Sequence, residues 1–332
     1  MTALRALFKK QNAHQHKLEP KLRHFSDEGI DTYIARLKDA ERDVIEVRDS
    51  NNAVRAAAVL GVLEYPNDSS MLALFPKRCG VAPLLSLPSP ENRAEQQESM
   101  ELLFKTAEDY WQDKGATGAV VSWVAHDPWL GTVLEPRGFL AYSTNAVRDL
   151  DLPLRAAQPK GDLDLRPAKS ADEDLLVQLL VDEMAFHEGI TPFDKVVPAL
   201  ATDARDRLTK VWAGQGLEDG ASLFWVAEEQ GDVVGMIEVT LSDLRNTWNP
   251  LAAGRYGYIS AVMVAASQRG QGVGRALLEA AFKALEDYEL DAYSLHFIIA
   301  NPLSSRFWQS HGFQPVTLSY QKRYAVSTSR KQ

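Results

Sequence analysis

The sequence predicts an α/β protein with a mixed β-sheet, built as two copies of one fold in tandem. Three observations support this fold class. A strand, a glycine-rich turn and a helix follow one another at residues 258–285. Strands and amphipathic helices alternate through the second half of the chain. Part of this pattern also occurs 174 positions earlier, in the first half. We therefore expect two similar domains.

The segment at 258–285 is the most informative part of the chain. Residues 258–264 form an apolar run that is typical of a buried strand, and a helical apolar stripe follows the turn. Between them, Gly270, Gly272 and Gly274 let the backbone approach a ligand closely. A helix N-terminus has free N–H groups and about half a positive charge, which favours a phosphate. The segment predicts a pyrophosphate-binding turn.

Composition excludes several classes of protein. With 332 residues, 45 % of them hydrophobic and 24 % charged, the chain has room for about two domains. It has no apolar run of about 20 residues and no signal-peptide pattern, so we expect a cytoplasmic protein without a membrane span. Cys79 is the only cysteine, which excludes an internal disulfide and a cysteine-rich metal site. The sequence indicates no metal.

Charge argues against nucleic acid as a partner. The net charge is −9, and the one basic stretch lies within the first 23 residues, which we expect to be a solvated or frayed end. We expect a monomer or a homodimer.

Elements of the first half can be placed from their periodicity and turn signals. Strands are expected at 44–47, 56–63 and 119–124, a helix at about 93–114, and a short helix from about 128. Residues 151–162 contain two prolines and a glycine and have no periodicity, so we place a linker there. The predicted domains are 1–150 and 163–332.

The second half shows a more regular order of elements. Helices are expected at 171–187, 194–212 and 302–311, and strands at 163–166, 223–227, 233–241 and 294–299, with a last strand ending near 325. The loop at 242–256 is long enough to suggest a functional lid.

The internal repeat compares the two halves residue by residue. With a shift of 174 positions, Pro128 falls on Pro302, Gly138 on Gly312 and Phe139 on Phe313. The glycine turn RGQGVG at 269–274 then faces EQQESM at 95–100, which has two glutamates and no glycine. Because these glutamates would repel a phosphate, the first half is predicted to be a degenerate copy without a cofactor loop.

Two motifs in the second half resemble those of the GNAT superfamily of N-acetyltransferases. In RGQGVG, Arg269, Gly272 and Gly274 fill the family's R/Q-x-x-G-x-G/A pattern, and residues 300–313, ANPLSSRFWQSHGF, look like its closing segment. The order of elements in the second half is also similar to the family's fold. The Rossmann spacing and the Walker lysine are absent, which argues against a dinucleotide or nucleoside triphosphate site.

The resemblance implies acetyl-CoA as the cofactor and assigns roles to particular residues. The backbone of the central strand would pair with the pantetheine arm, which Asn301 would also contact, and the glycine turn would hold the pyrophosphate. The strand residues are Val262, Met263 and Val264. The turn residues are Arg269, Gly270, Gln271, Gly272, Val273, Gly274 and Arg275. The backbone N–H of Val264 is a candidate donor to the thioester oxygen.

The general base is harder to predict. A lysine-like amine has a pKa of about 10.4, so acetyl transfer needs a group that removes a proton. Many relatives carry an acid on the central strand, where this chain has Ser260. Glu238, in an adjacent apolar strand, and His187, at the end of a helix, are the candidates. Alternatively, Glu238 pairs with an arginine. His296 is expected to be a hydrogen-bonded core residue.

The general acid is missing from its usual place. Relatives commonly have a tyrosine after the Phe of the closing motif, but this chain has Trp308, whose indole N–H cannot supply a proton. Loss of a general acid typically costs about 10² to 10⁴ in rate.

The resulting hypothesis is an N-acetyltransferase that transfers acetyl from acetyl-CoA to a primary amine of a small molecule or peptide. Two alternatives stay open. One is a non-catalytic acyl-CoA binder or sensor, suggested by Trp308 and Ser260. The other is a tandem acyltransferase resembling mycothiol synthase or the Fem-type transferases, although no basic groove for tRNA is visible.

Overall fold

The computed structural model describes residues 2–40, 42–88, 92–94, 97–154, 162–247 and 249–325. Its helices are α1 (Thr2–Leu18), α2 (Asp27–Asp39), α3 (Gln97–Asp113), α4 (Trp129–Leu134), α5 (Glu173–Glu188), α6 (Ala199–Trp212), α7 (Val273–Leu285) and α8 (Pro302–Ser310). Its strands are β1 (Asp43–Arg48), β2 (Val54–Glu64), β3 (Arg78–Ser86), β4 (Gly118–Val124), β5 (Leu140–Asp149), β6 (Leu163–Pro167), β7 (Leu223–Glu229), β8 (Asp232–Asp243), β9 (Arg255–Val264), β10 (Ala292–Ile298) and β11 (Gln314–Arg323).

The strands of the described residues form one sheet in the order β1-β2-β3-β4-β11-β5-β10-β9-β8-β7-β6. Pairing is parallel between β3 and β4 and between β9 and β10, and antiparallel between the other neighbours. The predicted mixed α/β fold is therefore confirmed.

The last strand of each half lies among the strands of the other half. β5 belongs to the first half of the chain but pairs with β10, whereas β11 belongs to the second half and pairs with β4. The two exchanged strands also pair with each other. The predicted linker at 151–162 divides the chain into two halves, while the sheet runs across both. Residues 155–161 of that linker lie outside the described residues.

The first and last residues of two strands in each half follow the same repeat. A shift of 174 residues moves β4 onto 292–298 and β5 onto 314–323, which are the bounds of β10 and β11. Gly138 and Gly312 have φ angles of 83° and 86°, a left-handed conformation that favours glycine. Phe139 and Phe313, which follow them, are both fully buried. The same turn and the same core contact therefore close each half.

Helices cover both faces of the sheet. In the second half, α5 and α6 pack on one face of β7, β8 and β9 through Val177, Leu208, Met236 and Ala261. α7 and α8 cover the opposite face, where the apolar stripe of α7 meets Ile237 and Ile259. In the first half, α1 and α2 cover β2 and β3 on one face, and α3 and α4 pack on the other.

The N-terminal segment is not a frayed end, contrary to the expectation from its charge. It forms α1, in which Leu4 and Phe8 are buried against α2 and the sheet. The basic residues lie on its outer face, and Lys9 pairs with Asp27 at 2.6 Å. The first half also contains α2, β3 and β5, which the sequence did not indicate.

The loop between β8 and β9, where the sequence suggested a functional lid, is attached to the N-terminal segment. Ala252 N donates to Lys21 O at 2.7 Å, and Arg23 N donates to Pro250 O at 2.8 Å. Leu251 is buried in the same core cluster as Leu22. Trp248 lies outside the described residues. None of the helices in the described ranges is long and apolar enough to cross a membrane.

Candidate active site

The two central parallel strands of the second half separate partway along their length. β9 and β10 pair from Tyr256 and Ala292 to Ile259 and Leu295. Beyond that point β9 continues along β8 to Val264, while β10 continues along β5 to Ile298. The sheet therefore opens into a gap between the C-terminal ends of β9 and β10, directly before the glycine turn.

The backbone of β9 offers hydrogen-bonding groups to this gap. Ala265 N donates to Val234 O, so Ala265 and Val234 form a hydrogen-bonded pair. Along an antiparallel ladder, such pairs alternate with pairs whose backbone groups point away from each other. Val264 and Val262 consequently turn their N–H and C=O groups away from β8, whereas Met263 turns its groups toward β8. The two valines can pair with an extended, amide-containing ligand as a further strand would.

The glycine turn has the conformation that its residues predict. Gly270 and Gly272 have φ angles of 74° and 92°, and Gly272 immediately precedes α7. A Cβ at Gly270 would meet open space, while one at Gly274 would come within 3.3 Å of the Phe307 ring. The first turn of α7 contains no acidic residue. Its free N–H groups are therefore available to an anion without a competing carboxylate.

Two arginines border the turn. Arg269 donates to Val264 O at 3.2 Å, and its guanidinium carbon lies 5.3 Å from the centre of the Phe186 ring on α5. Arg275 donates to His311 Nε2 at 3.2 Å. Both cations thus lie at the mouth of the turn, where they add to the positive potential of the helix N-terminus. Gln271 and Val273 complete the turn; the Gln271 side chain donates to Ser267 O at 3.0 Å.

Asn301 starts α8 at the opposite side of the gap. Its side-chain oxygen accepts hydrogen bonds from Leu303 N at 3.0 Å and Ser304 N at 3.3 Å, which is an N-cap reinforced by Pro302 at the first helical position. Its amide nitrogen lies 3.3 Å from His187 Nε2. Two of the residues predicted from the sequence, Asn301 and His187, are therefore in contact.

His187 is connected to a buried acid. Its Nδ1 lies 4.0 Å from Asp194 Oδ2, and burial lowers the pKa of the imidazole. Tyr142, on the exchanged strand β5, donates to the other oxygen of Asp194. Burial raises the pKa of Asp194 to about 6 despite this hydrogen bond. His187 is thus neutral at pH 7, with its Nε2 lone pair directed at Asn301.

Glu238 has the arginine partner that was the alternative interpretation. Its side chain is 1 % exposed, and its Oε1 accepts from Arg207 Nε at 2.8 Å and from Ser222 Oγ at 2.6 Å. A second nitrogen of Arg207 donates to Oε2 at 3.3 Å. Glu238 as the base stays a prediction, but both of its oxygens are already engaged.

Glu183 is a second carboxylate at this site that the sequence did not single out. It lies on α5 one turn before His187, on the same side of the helix, and its side chain is partly exposed. Within the described residues its carboxylate makes no hydrogen bond or ion pair. Burial of the carboxylate, followed by the charge of Glu238, raises its pKa to about 8.

Tyr258 and His296 lie together on the α5 face of β9 and β10. Tyr258 Oη is 3.0 Å from His296 Nδ1. Burial raises the pKa of Tyr258 to about 12, with further contributions from Glu238 and Glu183, and desolvation lowers the pKa of His296. His296 has the expected hydrogen bond, but its side chain is exposed rather than part of the core. Both groups are neutral at pH 7.

A family model matches the segment that contains this site. Residues 184–313 match the model of the acetyltransferase (GNAT) family. This segment of the second half is therefore similar to GNAT acetyltransferases. No curated protein matches the chain significantly.

Solved structures similar to this chain include several GNAT proteins. A GCN5-related N-acetyltransferase from Sphaerobacter thermophilus is 16 % identical, with a TM-score of 0.53, and the match covers 90 % of this chain and 85 % of that one. A tandem GNAT protein from the clavulanic acid biosynthesis pathway is 19 % identical, with a TM-score of 0.45, over 84 % and 82 % of the two chains. The first similarity shows that the fold shared with that protein extends over nearly the whole chain.

Trp308, within the segment that matches the family model, is a core residue. It is 7 % exposed, and its ring contacts the rings of Phe307 and Phe313 with centroids 4.8 Å and 5.3 Å away. The position that usually carries a tyrosine in relatives therefore faces the core here.

Sequence reasoning singled out the glycine turn, Asn301 and His187, but it did not single out Glu183. The missed signal was the spacing of four residues between Glu183 and His187 on a predicted helix, which places both side chains on one face. That spacing is common on solvated helices, so only the packing of α5 on β9 distinguishes this pair.

Proposed function

We propose that the GNAT domain transfers an acetyl group from acetyl-CoA to a primary amine of a small molecule or peptide. The observation that carries the proposal is the gap between β9 and β10, which opens directly before a glycine turn at the N-terminus of α7. The unpaired carboxylate of Glu183, on α5, lies close enough to Tyr258 of β9 to act on its pKa. These parts provide a place for a thioester and a group that can accept a proton.

The residues around the gap fit acetyl-CoA. Val262 and Val264 can pair with the amides of the pantetheine arm, and the N–H groups after Gly272 can hold the pyrophosphate. Arg269 and Arg275 add positive charge at the mouth of the turn. When bound, acetyl-CoA supplies an activated acetyl thioester. The N–H of Val264 faces the gap and is the proposed donor to the thioester oxygen.

Glu183 is the proposed general base. An ordinary glutamate has a pKa of about 4.3, too low to accept a proton readily from an ammonium group of pKa about 10.4. Because one pKa unit corresponds to about 1.4 kcal/mol, a carboxylate of pKa about 8 accepts that proton at a much smaller cost. His187 is one turn further along α5, and its Nε2 helps to hold the side chain of Asn301 at the start of α8.

The charges around Glu183 favour this role. Glu238 on β8 raises its proton affinity, and Arg207 on α6 neutralises Glu238 and so prevents a strong mutual repulsion. Tyr258 and His296 on β9 and β10 are neutral at pH 7. Since Glu183 must be deprotonated to act, activity is expected to rise with pH through a pKa of about 8.

The test is a CoA-release assay with a panel of amines between pH 6 and pH 10, accompanied by calorimetry with CoA. We expect CoA binding, and CoA release that depends on the amine and increases through pH 8. CoA binding without turnover of any amine would favour the alternative of an acyl-CoA sensor. Absence of CoA binding would contradict the proposal.

A further inference from the structure

We propose that the acceptor lies in a polar groove formed by both halves of the chain, and that it is an amine bearing uncharged hydroxyl or amide groups. This inference rests on the proposed function, since it concerns the acceptor of the same reaction. The groove lies across the middle of the sheet. Its floor consists of Tyr258, His296, Asn145, Ser143, Ser319 and Ser122.

The register of the strands puts these side chains on one face. His296 is paired with Asn145, Ser143 with Ser319, and Ser319 with Ser122. Directly paired residues share a face of a sheet, as do residues two apart on one strand. The floor therefore continues from β10 through β5 and β11 to β4. Three strand spacings of about 4.8 Å give a length of about 14 Å.

This face is the one on which α5 and Glu183 lie. Leu295 and Phe297 pack on the α7 side of β10, so His296 between them points to the opposite side. Likewise, Val121 and Trp123 pack in the cluster of α3, so Ser122 points away from α3. The groove thus begins beside the proposed base and leads onto the first half.

Helices flank the groove without covering it. The apolar clusters made by α1, α2, α5 and α6 take residues from β2, β3, β7, β8 and β9, but none from β4, β5 or β11 within the described ranges. Ser122 and His296 are exposed, and the other four floor residues are partly exposed. One end is bounded by the segment after α5, where Phe193 O accepts from Arg323 at 2.8 Å.

The floor is neutral and rich in hydrogen-bonding groups. Ser122 Oγ and Ser319 Oγ are 2.9 Å apart, and Asn145 donates to Thr317 Oγ1 at 2.9 Å. Ser143 Oγ and Asn145 Oδ1 have no partner in the described part of the chain. Because His296 is neutral, none of the floor residues is charged at pH 7. Such a surface matches hydroxyl and amide groups and gives no ion pair to a polycation.

The internal repeat explains why this groove has equal contributions from both halves. A shift of 174 residues moves Ser122 onto His296 and Asn145 onto Ser319. The floor therefore lies where the two copies meet, around the exchanged strands β5 and β11. Only one end of it meets a site with a glycine turn, so an acceptor has one productive orientation.

The experiment compares the Ser122→Trp variant with the wild type. The acceptors are ethanolamine, which is too short to reach Ser122, and two longer probes, the β-1,4-linked disaccharide of glucosamine and the tripeptide amide Gly-Ser-Ser. We expect KM for at least one longer probe to increase about tenfold or more. KM for ethanolamine, and the Kd for CoA from calorimetry, should change less than twofold. Leu102→Trp, an exposed position on α3 at the other face, is the matched control.

Three outcomes would overturn the groove without touching the proposed acetyl transfer. One is an unchanged KM for the longer probes in Ser122→Trp. Another is spermidine as the preferred acceptor. The third applies if no probe turns over: absence of calorimetric binding of both longer probes to the CoA-loaded protein. The two longer probes distinguish hydroxyl-rich from amide-rich acceptors.

Discussion

In the first half, the edge of β3 that corresponds to the open edge of β9 is bonded by a side chain of the same chain. Gln11 on α1 donates to Leu85 O and accepts from Leu87 N at 2.5 Å. Its amide makes the contacts that an extended ligand would make with Val262 and Val264 in the second half. Parallel pairing of β3 and β4 also ends early, at Val81 and Val120. Both halves therefore open the sheet, but the first fills the opening itself.

The helix ends of the two halves differ in the same way. Asp127 is the residue equivalent to Asn301 at a shift of 174, and it accepts from both terminal nitrogens of Arg93, one at 2.7 Å. Arg93 also lies 4.2 Å from the centre of the Trp129 ring. Glu98, equivalent to Gly272, stands in the first turn of α3. Glu95 and Gln96 of the EQQESM segment lie outside the described residues.

This comparison shows how a duplicated fold can fill the opening of its sheet in one copy and leave it open in the other. An open gap leaves backbone groups unpaired, which is tolerable where a ligand or water binds them. The first half satisfies these groups with Gln11 and the Arg93–Asp127 pair, so it can act as a structural partner and contribute Ser122, Ser143 and Asn145 to the groove.

The largest expected effect tests whether catalysis belongs to the second half alone. Glu183→Gln removes the proposed base, so kcat should fall by about 10² to 10⁴ while the Kd for CoA is unchanged. The rise of activity through pH 8 should disappear as well. The neighbouring Asp182→Asn is the control, because this exposed residue faces away from the site. Wild-type activity in Glu183→Gln would rule out Glu183 as the base.

The next effect concerns the Arg93–Asp127 pair of the first half. Burial alone would raise the pKa of Asp127, but its hydrogen bonds to Arg93 and Trp123 outweigh burial and lower it. Asp127→Ala leaves Arg93 buried and unpaired, which should cost about 3 to 5 kcal/mol of unfolding free energy in urea. Because the pKa is lowered on folding, this contribution is present above pH ~4 and is lost as pH falls further.

Comparing wild type and Asp127→Ala between pH 7 and pH 3.5 checks the sign, since the difference in unfolding free energy should shrink toward acid pH. Asp109→Ala, an exposed acid on α3 paired only with Lys105, should have a much smaller effect. Equal effects of the two substitutions would contradict the proposed role of the Arg93–Asp127 pair.

A smaller effect is expected from transplanting a residue between the halves. Gly272→Glu places the residue of the first half, Glu98, at a φ of 92° beside the proposed pyrophosphate site. Left-handed strain costs about 1 to 2 kcal/mol, and a repelling charge adds more. CoA affinity should fall about 10- to 100-fold by calorimetry. Glu98→Ala should leave it unchanged; a loss there would mean that the first half also binds CoA.

The smallest effect on rate is expected at Trp308. The equivalent residue, Leu134, is fully buried, so both halves use this position for core packing. Trp308→Tyr should therefore lower the melting temperature but change kcat less than about threefold. A gain of about tenfold or more would show that the tyrosine hydroxyl reaches the reacting thiol and that Trp308 had displaced a general acid. Val133→Ala, at the position equivalent to Phe307, provides a packing control in the first half.

Much of the second half could be predicted because its signals are local in sequence. The glycine turn, the apolar stripe of α7 and the Asn301-Pro302 start of α8 depend on backbone conformation and on residues a few positions apart. The repeat could also be predicted, because a turn with a left-handed residue favours glycine in both halves, as Gly138 and Gly312 show. The sequence by itself therefore determined the fold class, the family resemblance and the position of the glycine turn.

Tertiary structure decided the features that depend on distant residues. The exchange of β5 and β11 brings Tyr142 to Asp194, which lies 52 positions away in the sequence. It also brings Ser122 to Ser319 in the groove, 197 positions away. The high pKa of Glu183 arises from burial and from Glu238 on another strand. Hydrogen bonding and desolvation are set by which groups meet in space. A local sequence pattern does not predict hydrogen bonding and desolvation between distant residues, so the proposed acceptor side of the site could be described only from the folded chain.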